Sequence, residues 1–217
     1  MGEVRPRTRV YVDGLNFYYR AMRHGRFGAF RWLDVVRFCD ALLRRNRVEL
    51  VRYFTADIRS DLWNRGRDDR QQLYLRAIAS DPRLVIHKGH FVHRTIVRPL
   101  AVHAPNPTDR PRFVRVWNDE EKGSDVNLAS YLLRDGFMEE YEVAVVVSDD
   151  SDLVEPIRIV RRDLGLPVGV VQLRERSAFV SEGDFRIRPR RWHFERSHLP
   201  LEVECADGRV VSRPREW

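Results

Sequence analysis

The chain has 217 residues, of which 43% are hydrophobic and 11% aromatic, so it carries enough apolar material for one well-packed domain. No apolar run approaches the ~18 residues that a membrane-spanning helix needs. Its two cysteines, Cys39 and Cys205, are far apart and show no CxxC spacing. This argues against a zinc site or a disulfide framework and predicts reduced thiols in a cytoplasmic protein.

The formal net charge is +7, and nearly all of the positive charge is arginine, because Lys88 and Lys122 are the only lysines. Arginine binds phosphate through a planar, bidentate fork, which favours a nucleic-acid partner. A codon bias toward arginine across the genome would produce the same composition.

Predicted strands and helices alternate along the chain. In chain order they are a strand over 8–12, a short helix over 17–22, a helix over 31–46, a strand over 48–55, a helix over 65–80, a strand over 84–92, a hairpin over 94–100 and 112–117, a helix over 124–136, a strand over 143–147, a helix over 152–163 and a strand over 167–173. This order predicts a three-layer α/β/α fold around a doubly wound, mainly parallel sheet with an inserted β-hairpin.

Residues 174–217 differ in character and are predicted to form a basic, aromatic-rich extension packed on the 8–173 domain. Arginines alternate there with phenylalanine and tryptophan, a combination that can bind single-stranded nucleic acid. A solvated tail packed by its aromatic side chains explains the same pattern. The candidate nucleic-acid contacts are Arg174, Arg176, Arg190, Arg191 and Trp192.

The segment over 143–153, VAVVVSDDSDL, changes abruptly from apolar to acidic. Its five apolar residues predict a strand buried on both faces at the centre of a parallel sheet. Ser148, Asp149, Asp150 and Asp152 then follow where ligands bind in such sheets, beyond the carboxyl end of the strand. Clustered carboxylates need a compensating cation. The alternative is a helix cap, since Asp152 and Glu155 have the spacing of a capping box.

Two other segments bring acids toward the same edge. Asp13 ends the first predicted strand, and Asp125 lies in the first turn of the helix after the hairpin. Asp57 follows another strand but is better explained as a turn residue. The first and central strands of a doubly wound sheet are commonly neighbours, so Asp13, Asp125, Asp150 and Asp152 are predicted to converge, with Asp149 as a spare acid.

Four carboxylates in one pocket cannot all stay ionised without a metal. A carboxylate-bound Mg²⁺ or Mn²⁺ ion supports hydrolysis of phosphodiester bonds. Other metal-phosphate families fit less well. The chain has no GxxxxGK[ST] loop. Its first strand ends in DGLN rather than DxD, which disfavours an aspartyl-phosphate phosphatase, and a Toprim domain would carry glutamate at the position of Asp13.

Three segments, VYVDGLNFYY, EKGSDVNLASYLL and VVVSDDSDLVEPI, resemble in order the motifs of the NYN domain, in the LabA-like branch of the PIN-like nuclease superfamily. The resemblance covers about residues 8–173. It implies a PIN-like fold and a ribonuclease in which Asp13, Asp125, Asp150 and Asp152 bind Mg²⁺ or Mn²⁺. Asn16 matches the asparagine of the first motif, and Glu121, Lys122 and Ser148 lie in the matching flanks as supporting residues.

The chain departs from the family pattern at two positions. Asp149 replaces the glycine of SGDSD, and Ser124 replaces a common valine in KGVDV. Aspartate tolerates the left-handed conformation better than most residues, so the turn can survive, but the added charge is expected to alter metal number or affinity.

The expected function is therefore that of a cytoplasmic Mg²⁺- or Mn²⁺-dependent endoribonuclease. Its expected partner is RNA, preferably single-stranded, with no membrane association, and a homo-oligomer is compatible with the sequence. The alternatives are a non-catalytic RNA-binding or regulatory module with the same fold and a DNA-directed nuclease.

Overall fold

The computed structural model describes residues 4–23, 25–58, 66–100, 112–174 and 178–217. Its centre is a seven-stranded sheet in the order β4-β3-β2-β1-β5-β6-β7, in which only β4 runs antiparallel to its neighbour. The strands are β1 (Arg7–Asp13), β2 (Arg47–Ala56), β3 (Leu84–Pro99), β4 (Phe113–Lys122), β5 (Val143–Val147), β6 (Val168–Val171) and β7 (Phe185–Ile187).

Helices cover both faces of this sheet. They are α1 (Gly14–Phe17), which continues as a π-helix over Tyr18–Arg23, α2 (Val35–Leu42), α3 (Arg67–Ile78), α4 (Ser124–Phe137), α5 (Val154–Arg162) and α6 (Arg191–Glu195). Single 3₁₀ turns lie at Gly28–Phe30, Ser151–Leu153 and Ala178–Glu182. The predicted α/β/α architecture with a mainly parallel sheet is confirmed. None of the helices in these described segments is long and apolar enough to cross a bilayer.

Two hydrophobic cores explain why the central strands are so apolar. On one face Phe17, Trp32 and Phe38 pack beneath α1 and α2, and on the other Leu128 and Ile157 pack beneath α4 and α5. All five residues of β5 are buried because β1 and β6 flank it and both faces are covered. The predicted burial of this strand is confirmed.

The hairpin differs from its predicted bounds. A break between strands 84–92 and 94–100 is predicted, but β3 runs without interruption, and β4 continues through Lys122 rather than ending near 117. The reason is the antiparallel ladder from Pro99↔Phe113 to His90↔Lys122, in which backbone pairing overrides the acidic composition at the end of β4. The predicted loop of the hairpin, over 101–111, lies outside the described residues.

The chain after residue 173 packs against the main domain and adds a strand to its sheet. Strand β7 pairs with β6, which extends the sheet by one strand. Phe194 on α6 is fully buried, and its ring stacks on Phe27 at a centroid distance of 4.0 Å. Near the end of the chain, β8 (Glu202–Glu204) and β9 (Val210–Ser212) pair as an antiparallel hairpin.

Candidate metal centre

The centre begins where β1 and β5 end side by side. The parallel register pairs Val12 with Val147, so Asp13 and Ser148 are the next residues along each strand. The hydroxyl of Ser148 donates a 2.9 Å hydrogen bond to Asp13 Oδ2, and the backbone N–H of Asn16 donates to Asp13 Oδ1, also at 2.9 Å. Asp13 is therefore a helix cap for α1 and, at 4% exposure, a buried acid at the sheet edge.

Asn16 and Ser148 connect the first motif to the loop after β5. The backbone N–H of Asp149 donates to Asn16 Oδ1 at 3.3 Å, and that of Asp150 donates to Ser148 Oγ at 3.1 Å. These bonds hold the loop against α1, and they orient Asp150 toward Asp13.

The hairpin delivers the third acid. Strand β4 runs back along β3 from Pro99 to His90, in the middle of that strand, and α4 starts just afterwards, following Gly123 at φ 99°. The carboxylate of Glu121 accepts hydrogen bonds from the N–H of Ser124 at 3.1 Å and from its hydroxyl at 2.8 Å. Glu121 thus caps α4 and sets the position of its first turn, which carries Asp125.

The structure brings three of the four predicted acids together. One carboxylate oxygen from each of Asp13, Asp125 and Asp150 lies within 4.8 Å of the others. Asp152 is exposed at the rim, where its backbone N–H donates to Asp150 Oδ1 at 3.0 Å. Three converging carboxylates are the oxygen donors that hard divalent cations prefer.

The pKa values of Asp13 and Asp125 reflect their burial and the close approach of the neighbouring carboxylates. Burial raises the pKa of Asp13 to about 7, and the charges of Asp125 and Asp150 add to this effect, while the bonds from Asn16 and Ser148 oppose it. Burial, followed by the charges of Asp150, Glu121 and Asp152, raises the pKa of Asp125 to about 6. A cation in the cluster would remove this repulsion, so the residues present fit a divalent metal.

Asp149, the residue at the family's glycine position, has a partner that sequence reasoning missed. Its side chain is fully buried, and Oδ2 lies 3.2 Å from Nε of Arg174. Within the described chain Oδ1 has no hydrogen-bond partner. Its φ is not positive, because Glu139 is the one non-glycine residue with positive φ in the described segments. The loop therefore needs no left-handed residue here, and Arg174 neutralises the extra charge.

Other predicted residues lie elsewhere. Lys122 pairs its ammonium with Glu120. Arg191 forms an ion pair with Glu195, and its guanidinium lies over the ring of Phe30. Trp192 stacks on His193 within α6. Arg190 is the N-cap residue of that helix. Arg176 lies outside the described residues. Asp57 is ion-paired with Lys88 at 2.7 Å.

The raised pKa values predict that the metal-free protein loses stability as the pH rises. Between about pH 4 and about pH 7 the folded state holds protons on Asp13 and Asp125 that the unfolded state has released, so unfolding becomes easier across this window. We expect the Tm to fall by about 5–10 °C over this range in EDTA, and saturating Mn²⁺ to reverse the fall. Differential scanning calorimetry measures both. If the Tm of Asp13→Asn fell with rising pH as much as that of wild type, the pH dependence could not be assigned to Asp13.

Gly89 is predicted to position Asp125. A Cβ at Gly89 would lie 2.3 Å from Oε1 of Glu121 and 2.5 Å from the carbonyl oxygen of Lys122. We expect Gly89→Ala to push the start of α4 outward, with a loss of about 1–3 kcal/mol of stability and at least about tenfold of Mn²⁺ affinity by calorimetry.

Gly165→Ala is the matched control for Gly89→Ala. Gly165 has φ 66° and no atom within 4 Å of its Cβ position, so alanine is strained there without touching the centre. This variant is expected to lose stability and to keep wild-type Mn²⁺ affinity. Equal losses of affinity in the two variants would show that Gly89 has no specific role.

Comparison with models of known families identifies one family for this chain. The model of the NYN domain matches residues 7–182. The chain is 30% identical over 188 residues to 6-hydroxy-3-succinoylpyridine 3-monooxygenase HspA of Pseudomonas putida, with 76% of this chain and 59% of that protein covered. The chain thus spans less than two thirds of the length of this curated relative.

The fold has a counterpart among solved structures. A Vibrio parahaemolyticus protein of unknown function superposes with a TM-score of 0.53 at 13% identity, covering 92% of this chain and 99% of that one. This likeness concerns the fold alone. With the family match extending over most of the chain and three acids at the ends of adjoining segments, the chain belongs to the NYN domain family, a PIN-like nuclease family.

Proposed function

We propose that the chain is an endoribonuclease of the LabA-like branch that depends on Mg²⁺ or Mn²⁺. The observation that carries the proposal is the convergence of Asp13, Asp125 and Asp150 within 4.8 Å at the carboxyl edge of the sheet. When bound there, the ion would polarise the phosphodiester and lower the pKa of a water molecule. The free cysteines, Cys39 and Cys205, suit the cytoplasmic location that we include in the proposal.

Different residues of this chain would have different roles in the site. Asp13, Asp125 and Asp150 would hold the ion, and exposed Asp152 would add negative charge at the rim. Asn16 and Ser148 would keep Asp13 and the β5 loop in register through the hydrogen bonds described above. Glu121 would act indirectly, by capping the helix that carries Asp125.

A basic cavity beside the centre supports an RNA substrate. It has a volume of about 620 Å³ at the ends of β6 and β7, and its described lining includes the arginines Arg20, Arg26, Arg174 and Arg188. Guanidinium groups bind phosphate in a planar, bidentate way and so suit the phosphates of a strand that leaves the centre. Lys122, Arg176, Arg190, Arg191 and Trp192 remain proposed contacts to the strand.

The test is cleavage of an end-labelled single-stranded RNA of mixed sequence. We expect internal cuts in Mg²⁺ or Mn²⁺ and none in EDTA, with weaker cutting of the 2′-deoxy strand of the same sequence. Calorimetric titration with Mn²⁺ separates the enzyme from a non-catalytic RNA-binding module. No Mn²⁺ uptake together with intact RNA binding would favour the module and overturn the nuclease.

The curated relative suggests a second candidate, hydroxylation of a small aromatic acid. The observation that favours it is the aromatic cavity, which we define as the pocket of about 410 Å³ beside Gly14 whose lining includes Tyr18, Tyr19, Trp217 and several arginines. Ring hydroxylation consumes dioxygen and a two-electron reductant. Oxygen uptake and NADH oxidation that depend on 6-hydroxy-3-succinoylpyridine would support this candidate, and the absence of both would remove it.

A further inference from the structure

The aromatic cavity opens between two elements next to the metal centre. One wall is formed by α1 and the π-helix, and the other by the first turns of α3, with Thr55 near the end of β2 below them. Its volume lies in the range of pockets that enclose a small molecule or a single nucleotide.

Aromatic rings dominate the walls. Tyr18 and Tyr19 meet edge to face at 5.4 Å, and Tyr74 meets Trp217 in the same way at 5.6 Å. The guanidinium of Arg23 lies 5.4 Å from the ring centre of Tyr19, and that of Arg67 lies 5.9 Å from it. Half-buried rings at the wall of a cavity offer stacking surfaces for a planar group.

The polar lining favours a ligand that accepts hydrogen bonds. Among the described residues that line the cavity, four are arginines and one, Glu216, is acidic. Arg31 is half-buried, and its Nε is shielded from solvent without a hydrogen-bond partner in the described segments. The support for a ligand that accepts hydrogen bonds is therefore the presence of the arginine side chains in the lining, since a guanidinium group donates hydrogen bonds and accepts none.

The cavity is joined to the metal centre through adjacent residues. Gly14, which lines the cavity, follows Asp13 directly, and a Cβ at Gly14 would lie 2.5 Å from the ring of Tyr53. Gly14 therefore allows the ring of Tyr53, which also lines the cavity, to pack closely against the residue that follows Asp13. The metal centre and the cavity lining are thus contiguous in the chain at Asp13 and Gly14, which is the basis for placing a neighbouring base of the strand in this cavity.

We propose that the aromatic cavity binds one unpaired base of the RNA strand that is cleaved at the metal centre, with a preference for guanine. Guanine presents two neighbouring acceptors, O6 and N7, which match the fork of Arg31. A base inside a duplex cannot enter such a cavity, so the site selects single-stranded RNA. This inference rests on the proposed nuclease function for its substrate.

Binding is tested without catalysis, by calorimetry in EDTA with GMP, AMP, CMP, UMP and nicotinate. We expect GMP to bind at least about fivefold more tightly than the other nucleotides and Arg31→Gln to weaken GMP binding about tenfold. Arg31→Lys keeps the charge and is expected to lose the preference for GMP. Arg37→Gln removes an exposed arginine of α2 outside the cavity and should bind as wild type does.

The outcomes distinguish this inference from the nuclease proposal. Equal affinity for the four nucleotides in wild type would overturn the guanine preference even if the Arg31 variants fail to fold. Binding of nicotinate without binding of nucleotides would show that the cavity takes a free aromatic acid. In either case metal-dependent cleavage can persist, and the nuclease stands. Guanine binding without metal-dependent cleavage would instead remove the nuclease and leave a nucleotide-binding cavity.

Discussion

Asp13→Asn is expected to reduce metal-dependent RNA cleavage by about a thousandfold while making the metal-free protein more stable. The first effect follows from the loss of a ligand, since a catalytic metal supplies several kcal/mol of transition-state stabilisation. The second follows from the burial and repulsion that raise the pKa of Asp13 to about 7. At about pH 7.5 the neutral amide removes this cost, and we expect a gain of ~2 kcal/mol.

The substitution is specific because asparagine keeps the local structure. Its side-chain oxygen can still accept the hydrogen bond from Asn16, so α1 keeps its cap. Urea unfolding in EDTA and in Mn²⁺ measures stability under both conditions. Mn²⁺ should stabilise wild type and leave the variant almost unchanged, because a cation that binds the folded state stabilises it in proportion to its affinity.

Asp119→Asn is the matched control for Asp13→Asn. Asp119 is an exposed acid on β4 that contacts His93 and takes no part in the cluster of three. The Asp119→Asn variant should cleave RNA at the wild-type rate, and its free energy of unfolding should differ from that of wild type by no more than about 0.5 kcal/mol. Wild-type cleavage by Asp13→Asn would refute the metal centre as the site of hydrolysis.

Asp135→Asn is expected to cost about 3–5 kcal/mol of stability, the largest loss that we predict for a single side chain. Asp135 is fully buried near the end of α4, where Arg52 donates to both of its oxygens at 2.7 and 3.1 Å. Arg9 lies 2.9 Å away, and the hydroxyl of Tyr11 donates at 3.0 Å. Asparagine would leave Arg52 without the charge that compensates it, whereas Arg9 would keep its ion pair with Glu140.

The pKa of Asp135 agrees with this role. Burial raises it, but the hydrogen bonds from Arg52 and Arg9 more than offset burial and hold the pKa below its usual range. The stabilisation is therefore present above the unfolded pKa and is lost as the pH falls through the folded pKa. The stability that depends on Asp135 therefore increases as the pH rises, whereas the stability that depends on Asp13 decreases.

Urea unfolding at neutral pH measures the effect of Asp135→Asn, and Glu195→Gln is the control. Glu195 pairs with Arg191 on the exposed face of α6, and such a pair contributes about 0.3–0.5 kcal/mol. Asp125 lies ten residues before Asp135 on α4, about 15 Å along the helix axis, so the rate of cleavage per folded molecule should be unchanged. A loss below about 1 kcal/mol would show that the buried ion pairs contribute little.

Local patterns in the sequence were sufficient to predict the strands and the acids that follow them. The apolar run of β5 predicted a buried strand. Asp13 ends β1 and Asp150 lies three residues after β5, so adjacency of β1 and β5 places the two acids together. The resemblance of the three motifs predicted the fold that the sheet order confirms. These features depend on residues that are neighbours in the chain.

Positions that depend on distant partners could not be predicted in this way. Asp125 reaches the cluster because the β3–β4 ladder returns the chain to Gly89, and Asp149 is neutralised by Arg174, twenty-five residues later. The sequence offers no sign that Asp135, within an amphipathic helix, is held by arginines from β1 and β2. Strand register and side-chain packing create these contacts, and both arise only when segments that are far apart in the chain meet in the folded domain.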